Sequence, residues 1–161
     1  MNRWTAIVST GLVLLVAAGI YLNVARAGGA DGLQMPSDVD IAAGAALYSE
    51  NCAACHGANL EGQEDWRSPG DDGRLPPPPH DETGHTWHHG DQLLFEYTKL
   101  GGRALMAAQG LEFDSGMPSF GDQLSDQEIW NILGYIKSTW PERIQEIQAV
   151  RTEGEMRQRG N

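Results

Sequence analysis

The residues with the most distinctive chemistry in this chain are Cys52-Ala53-Ala54-Cys55-His56. A Cys-x-x-Cys pair alone has two common uses, a thioredoxin-like redox couple or half of a zinc site. The redox couple needs a strand before the pair, whereas Val39 to Asn51 carries Ile41, Ala45, Leu47 and Tyr48, contains no proline and reads as helix. A zinc site needs a second cysteine pair or histidines at finger spacing, and the chain has only these two cysteines. His56, directly after the pair, selects a third use, because Cys-x-x-Cys-His is the attachment signature of c-type haem. Two thioethers reach the two vinyl groups on one haem edge, and the next side chain brings its imidazole to the iron.

A six-coordinate electron-transfer haem takes a second axial ligand, and methionine opposite histidine raises the reduction potential while closing the iron to substrate. Met106, Met117 and Met156 follow the motif. Met106 lies in Arg103-Ala104-Leu105-Met106-Ala107-Ala108, which reads as helix, where methionine more often fills a gap in the core. Met156 is in a polar tail. Met117 stands in Gly116-Met117-Pro118-Ser119-Phe120; Pro118 pushes it towards extended backbone, and Gly116 leaves the chain beside it free. Met117 is therefore the expected axial partner of His56. A histidine in its place is the alternative, and simple core packing is the plain use for such a methionine.

These elements resemble the class I cytochromes c over roughly residues 38–140. Gly44-Ala45-Ala46-Leu47-Tyr48 matches the family's glycine and aromatic pattern on the helix before the haem motif, where the glycine admits a close crossing by the last helix. Ser125-Asp126-Gln127-Glu128 is a capping box, and Ile129, Trp130, Leu133 and Ile136 follow at helical spacing. The resemblance implies an all-α fold, three to five helices wrapped around one covalent haem c, with the methionine on a loop before the last helix; Met117 stands there. It also implies a proline carbonyl that accepts from the other ring nitrogen of His56. Pro76-Pro77-Pro78-Pro79 supplies candidates, Pro78 or Pro79 being the expected ones.

Between motif and methionine, His80-Asp81-Glu82-Thr83-Gly84-His85-Thr86-Trp87-His88-His89 holds four histidines and two carboxylates. Two readings stand: a copper or zinc site, or a polar loop over the haem edge in which Trp87 or a histidine hydrogen-bonds a propionate. Trp66, between Asp65 and Arg67, reads as part of a surface loop, with a partner contact as the alternative. Asp91 to Tyr97 reads as an amphipathic helix that ends at Gly101-Gly102.

The supporting framework follows from composition. The chain has 161 residues, 22 acidic and 11 basic, and a formal charge of −11. That balance excludes nucleic acid as a partner, since phosphates call for a basic footprint. Residues 1–27 contain Arg3 and Arg26, no acid, and an uncharged run from Thr5 to Ala25 that ends in Ala25-Arg26-Ala27. This is either a signal peptide or an uncleaved membrane anchor. Residues 28–37 read as a linker, 38–140 as the cytochrome domain and 141–161 as a polar C-terminal extension with a short helix beyond the break at Pro141.

The expected function is electron transfer by one haem c, with Cys52 and Cys55 as attachment points and His56 and Met117 on the iron. The expected place is the periplasmic side of a bacterial cytoplasmic membrane, soluble or N-terminally anchored. Redox proteins with a basic docking face are the expected partners, and no small-molecule substrate or enzymatic activity is expected. A haem or copper sensor or metal-handling module using the histidine loop is the alternative, followed by a peroxidase-like enzyme with labile Met117.

Overall fold

Asp40 opens the first helix. Its side chain accepts from the Ala43 N–H at 3.0 Å, a cap that satisfies one of the helix's unpaired N-terminal donors. The computed structural model describes residues 33–159; the segment at 1–27, read above as a signal peptide or membrane anchor, and the first half of the expected linker lie outside the described residues. The elements are α1 (Ile41–Asn51), α2 (Ala53–His56), a 3-10 turn (Thr86–His88), α3 (Asp91–Leu100), α4 (Gly102–Ala108), α5 (Asp126–Ser138) and α6 (Glu142–Arg159), with no strand among the described residues. The fold is all-α, as expected, and five of its helices lie between residues 38 and 140.

The α1–α5 crossing organises the domain. Ser125 and Glu128 form the capping box that starts α5, Glu128 accepting from the Ser125 N–H at 2.8 Å. Ile129, Ile132, Leu133 and Ile136 of α5 are buried in one apolar cluster with Tyr48, Phe95, Trp130 and Trp140. Gly44 of α1 sits directly on the α5 backbone: a Cβ there would lie 2.0 Å from the Asn131 carbonyl oxygen. One turn further on, Tyr48 packs against Tyr135 with ring centroids 5.5 Å apart. On the other side of α5, Phe95 stacks on Trp130 at 4.5 Å. The side chain of Asn131 ties the crossing to the start of α1, its Oδ1 accepting from the Asp40 N–H at 2.9 Å.

Gly44→Ala is expected to destabilise the protein by about 3 kcal/mol. The added methyl overlaps a backbone carbonyl that cannot rotate away, so the helices must separate along a well-packed seam. Chemical denaturation of the haem-loaded protein checks this.

Beyond the cytochrome domain the described chain runs on to residue 159. After Trp140 and Pro141 it forms α6, 18 residues long rather than the short helix expected. Its docking is polar: Gln148 and Thr152 are buried, Gln148 donates to Asp91 Oδ1 at 2.8 Å, and Thr152 Oγ1 accepts from the Asp91 N–H at 3.1 Å. Glu155 accepts from the Gly90 N–H at 3.0 Å. Together these contacts fix the start of α3 and the end of the histidine loop. Among the described residues no helix is long and apolar enough to cross a membrane.

Candidate functional site

The motif sits where α1 runs on into one further turn. The N–H of Cys52 bonds to the Tyr48 carbonyl, and that of His56 to the Cys52 carbonyl. The cysteines, three residues apart, therefore share one face of a helical turn. Neither is in a disulfide; Cys55 is exposed and Cys52 half-buried. Before attachment, burial, then the neighbouring Cys55, pushes the Cys52 thiol up to about 11. Gly57 ends the turn at φ +83°, and its carbonyl accepts from the buried Tyr48 hydroxyl at 2.9 Å. Tyr48 thus connects the motif to the α1–α5 seam.

His56 is buried, and its Nδ1 donates to the Pro78 carbonyl at 2.8 Å. With the proton held at Nδ1, the lone pair stands on Nε2, the state a metal-bound imidazole needs. Burial lowers the tendency of His56 to protonate, and the Pro78 carbonyl opposes this in part. The Pro78 carbonyl is delivered by a short backbone pairing. Gly62 N–H bonds to His56 O, Gln63 N–H to Pro77 O, and His80 N–H to Leu60 O. Pro79, the other candidate, has a different place: it is clamped between two glycines. A Cβ on Gly62 would lie 2.3 Å from Pro79 N, and one on Gly84 would lie 2.0 Å from Pro79 O.

Met117 lies on the loop between α4 and α5, partly buried against the cluster that also packs Cys52, Ala53 and Trp87. That loop is stitched to the end of α3 and the start of α4. Met117 O accepts from the Gly102 N–H at 3.3 Å and Phe120 N–H bonds to Thr98 O. The Met117 N–H donates to Ser115 Oγ at 3.2 Å, and Ser119 Oγ donates to Lys99 O at 2.7 Å. The glycine this loop requires is Gly101 rather than Gly116. Gly101 has φ +79° and a Cβ there would meet Ser119 N at 2.8 Å, whereas Gly116 has ordinary room for one. Asp114 accepts from Arg74 and Arg103, tying the methionine loop to the proline-rich segment. Met106 is half-buried within α4.

The histidine loop sets its rings mainly against separate neighbours. His80 stacks on His56 with centroids 4.0 Å apart. His85 stacks on Trp66 at 5.2 Å, and the Arg67 guanidinium also lies over the Trp66 ring, 4.0 Å from its centroid. His88 stacks on Trp87 at 3.7 Å, and His89 meets His85 edge-on. Among the described residues no group of three or more His, Cys, Asp or Glu side chains is placed to hold a metal ion. The indole N–H of Trp87, considered above for a propionate, donates to Glu82 O at 3.2 Å. Desolvation, then His56 and His85, keeps His80 well below the ordinary histidine range.

Two participants escaped the sequence reading. His80, read above only as part of the histidine loop, touches His56; the linear signal for that contact is its place two residues after Pro78. Trp140, buried, donates from its indole to the His80 carbonyl at 2.7 Å; nothing local in the sequence joins it to a residue 60 positions away.

The donor set fits a covalent haem: two unpaired thiols on one helical face, an adjacent imidazole with its Nδ1 proton pinned, and an apolar wall that includes a methionine. The cytochrome c family model matches residues 41–140, well over half of the chain, which therefore belongs to the cytochrome c family. Members of this family bind haem c covalently and typically carry electrons. No curated protein and no solved structure matches the chain.

Proposed function

We propose that this protein is an electron carrier with one haem c, attached through Cys52 and Cys55 and ligated by His56 and Met117. The observation that carries the reading is the His56 Nδ1–Pro78 O bond of 2.8 Å within the Cys-x-x-Cys-His turn. It fixes tautomer and ring orientation and makes the imidazole a stronger donor, which is what a permanent axial ligand needs. When bound, the haem supplies the one-electron couple. The chain's own part is to attach and orient it, to exclude water, and to set the potential through the axial pair. A closed ligand set leaves no position for substrate, so the protein performs no bond chemistry.

The domain works outside the cytoplasm, on the periplasmic side of a bacterial membrane, either free or held by residues 1–27. Removing Arg3 and Arg26 with that segment takes the charge to −11 − 2 = −13 before the haem is counted. Such a surface suits redox partners with a basic docking face, in small and brief contacts whose encounter is accelerated by charge.

The test is stopped-flow electron exchange between the haem-loaded protein and a basic redox protein. Reversible one-electron exchange is expected, with a second-order rate that falls about tenfold or more between low and physiological salt. A haem that does not cycle reversibly overturns the carrier reading, and a rate insensitive to salt overturns the basic partner.

A further inference from the structure

We propose that His80 is a positioning residue for the axial imidazole: its ring walls one face of His56 and keeps that ring aligned with the Pro78 carbonyl. The inference rests on reading His56 as the iron ligand.

The two rings lie nearly parallel, 24° apart with centroids at 4.0 Å. His56 is thus held in two directions, along its Nδ1–H by Pro78 and across its face by His80. Both restraints come from the single segment Pro78-Pro79-His80, stiffened by Pro79 and clamped where Gly62 and Gly84 touch that proline.

His80 is itself fixed on every side. Its N–H bonds to the Leu60 carbonyl at 2.8 Å, and its own carbonyl accepts from Trp140 Nε1 at 2.7 Å. Its Nδ1 pairs with Thr86 Oγ1 at 2.8 Å, and Tyr48 lies edge-on at 6.3 Å. Leu60, which supplies the first of these acceptors, is buried and held at φ +68°, a conformation a leucine adopts only when its surroundings impose it. Packing alone has no need of a residue locked through its N–H, carbonyl and ring nitrogen together; holding a ring at a set angle does.

The consequence is electronic. Rotation of His56 about its Cβ–Cγ bond would lengthen the bond to Pro78 and make the imidazole a weaker donor. The ferric state, which gains more from a strong donor, would lose stability relative to the ferrous state. Removing the His80 ring therefore raises the potential.

The experiment compares haem-loaded His80→Leu, His80→Phe and Thr86→Val with the parent. Readouts are the haem-methyl shifts of the ferric protein, which report the axial imidazole plane, and the equilibrium with a redox mediator. His80→Leu is expected to change the pattern of methyl shifts and to move the equilibrium about tenfold towards the ferrous form. His80→Phe, which keeps a flat ring, is expected to restore both. Parental shifts and equilibrium in His80→Leu overturn the proposal, as does a His80→Phe displaced as far as His80→Leu. Should His80→Leu fail to fold, Thr86→Val decides: displaced shifts support the positioning role, and unmoved ones overturn it. The parent's own spectrum is taken first; a parent without low-spin, histidine-ligated haem defeats the ligation reading itself, before any His80 variant is compared.

Discussion

Met117→Ala is expected to abolish the methionine–iron charge-transfer band of the ferric protein and to convert a haem inert to carbon monoxide into one that binds it at neutral pH. Methionine opposite histidine closes the sixth position and favours the ferrous state. Without the thioether the reduction potential should fall by an amount worth at least about tenfold in the equilibrium with a mediator, or ~59 mV for one electron. The loop gives the result its interpretability. It is held to the end of α3 through the backbone N–H groups of Phe120 and Gly121 and the hydroxyl of Ser119, and to the start of α4 through the Met117 carbonyl, none of which alanine at 117 removes. The variant should therefore keep its helical circular dichroism while changing its ligand chemistry. A charge-transfer band that survives in Met117→Ala would assign the sixth ligand elsewhere, and a parent that already binds carbon monoxide would favour a haem enzyme over a carrier. Met106 offers an internal control. It stands half-buried within α4, and Met106→Leu is expected to leave both signals at parental values.

What could be read from the sequence was whatever is encoded locally. The Cys52–His56 turn, the Ser125 cap, the Gly44–Tyr48 spacing and the stop at Gly101 are each written within a few residues, because each answers a local demand for a donor, an acceptor or room. The His56–Pro78 bond was half legible: four consecutive prolines announced an acceptor, but only the pairing of Gln63 with Pro77 and of His80 with Leu60 selects Pro78. The histidine loop was open to two readings for the same reason. Composition put four imidazoles within ten residues, yet whether rings converge on an ion or stack on separate partners depends on Trp66, Trp87 and His56, which linear spacing does not connect to them. The methionine loop was placed correctly while its glycine was misattributed. Gly116 is the neighbour in sequence, but Gly101 is the neighbour in space.

The docking of α6 was the least legible feature, because it is polar and long-range, and it supports the second large effect. Asp91→Asn is expected to destabilise the protein by about 3–5 kcal/mol. Asp91 is buried at the first turn of α3. One carboxylate oxygen accepts from Lys137 Nζ at 2.6 Å and Gln148 Nε2 at 2.8 Å, the other from the Met35 N–H at 3.0 Å. A single side chain thus joins α3, α5, α6 and the segment before α1. The amide is nearly isosteric, so the loss is electrical: the largely buried Lys137 ammonium keeps its desolvation cost without a counter-charge, the situation in which breaking a buried pair is most destabilising. The pH dependence has a definite sign. Burial pushes the Asp91 carboxyl up, but the Lys137 charge and the hydrogen bonds from Lys137, Met35 and Gln148 outweigh it and hold the group below its ordinary value. A carboxylate whose folded pKa is depressed stabilises the protein above its unfolded value near ~3.9 and loses that contribution as pH falls through the lower folded value. The parent should therefore lose stability below about pH 4 more steeply than Asp91→Asn, whose amide does not titrate there. Urea denaturation of both proteins between about pH 2 and 7 measures this; two parallel curves would show that Asp91 is not ionised in the folded protein. Lys137→Met separates charge from contact. Removing both the ammonium and its desolvation cost leaves Asp91 with the Gln148 and Met35 donors, so Lys137→Met should cost less than Asp91→Asn, and the double variant should recover part of the single Asp91 loss, because neither buried charge remains.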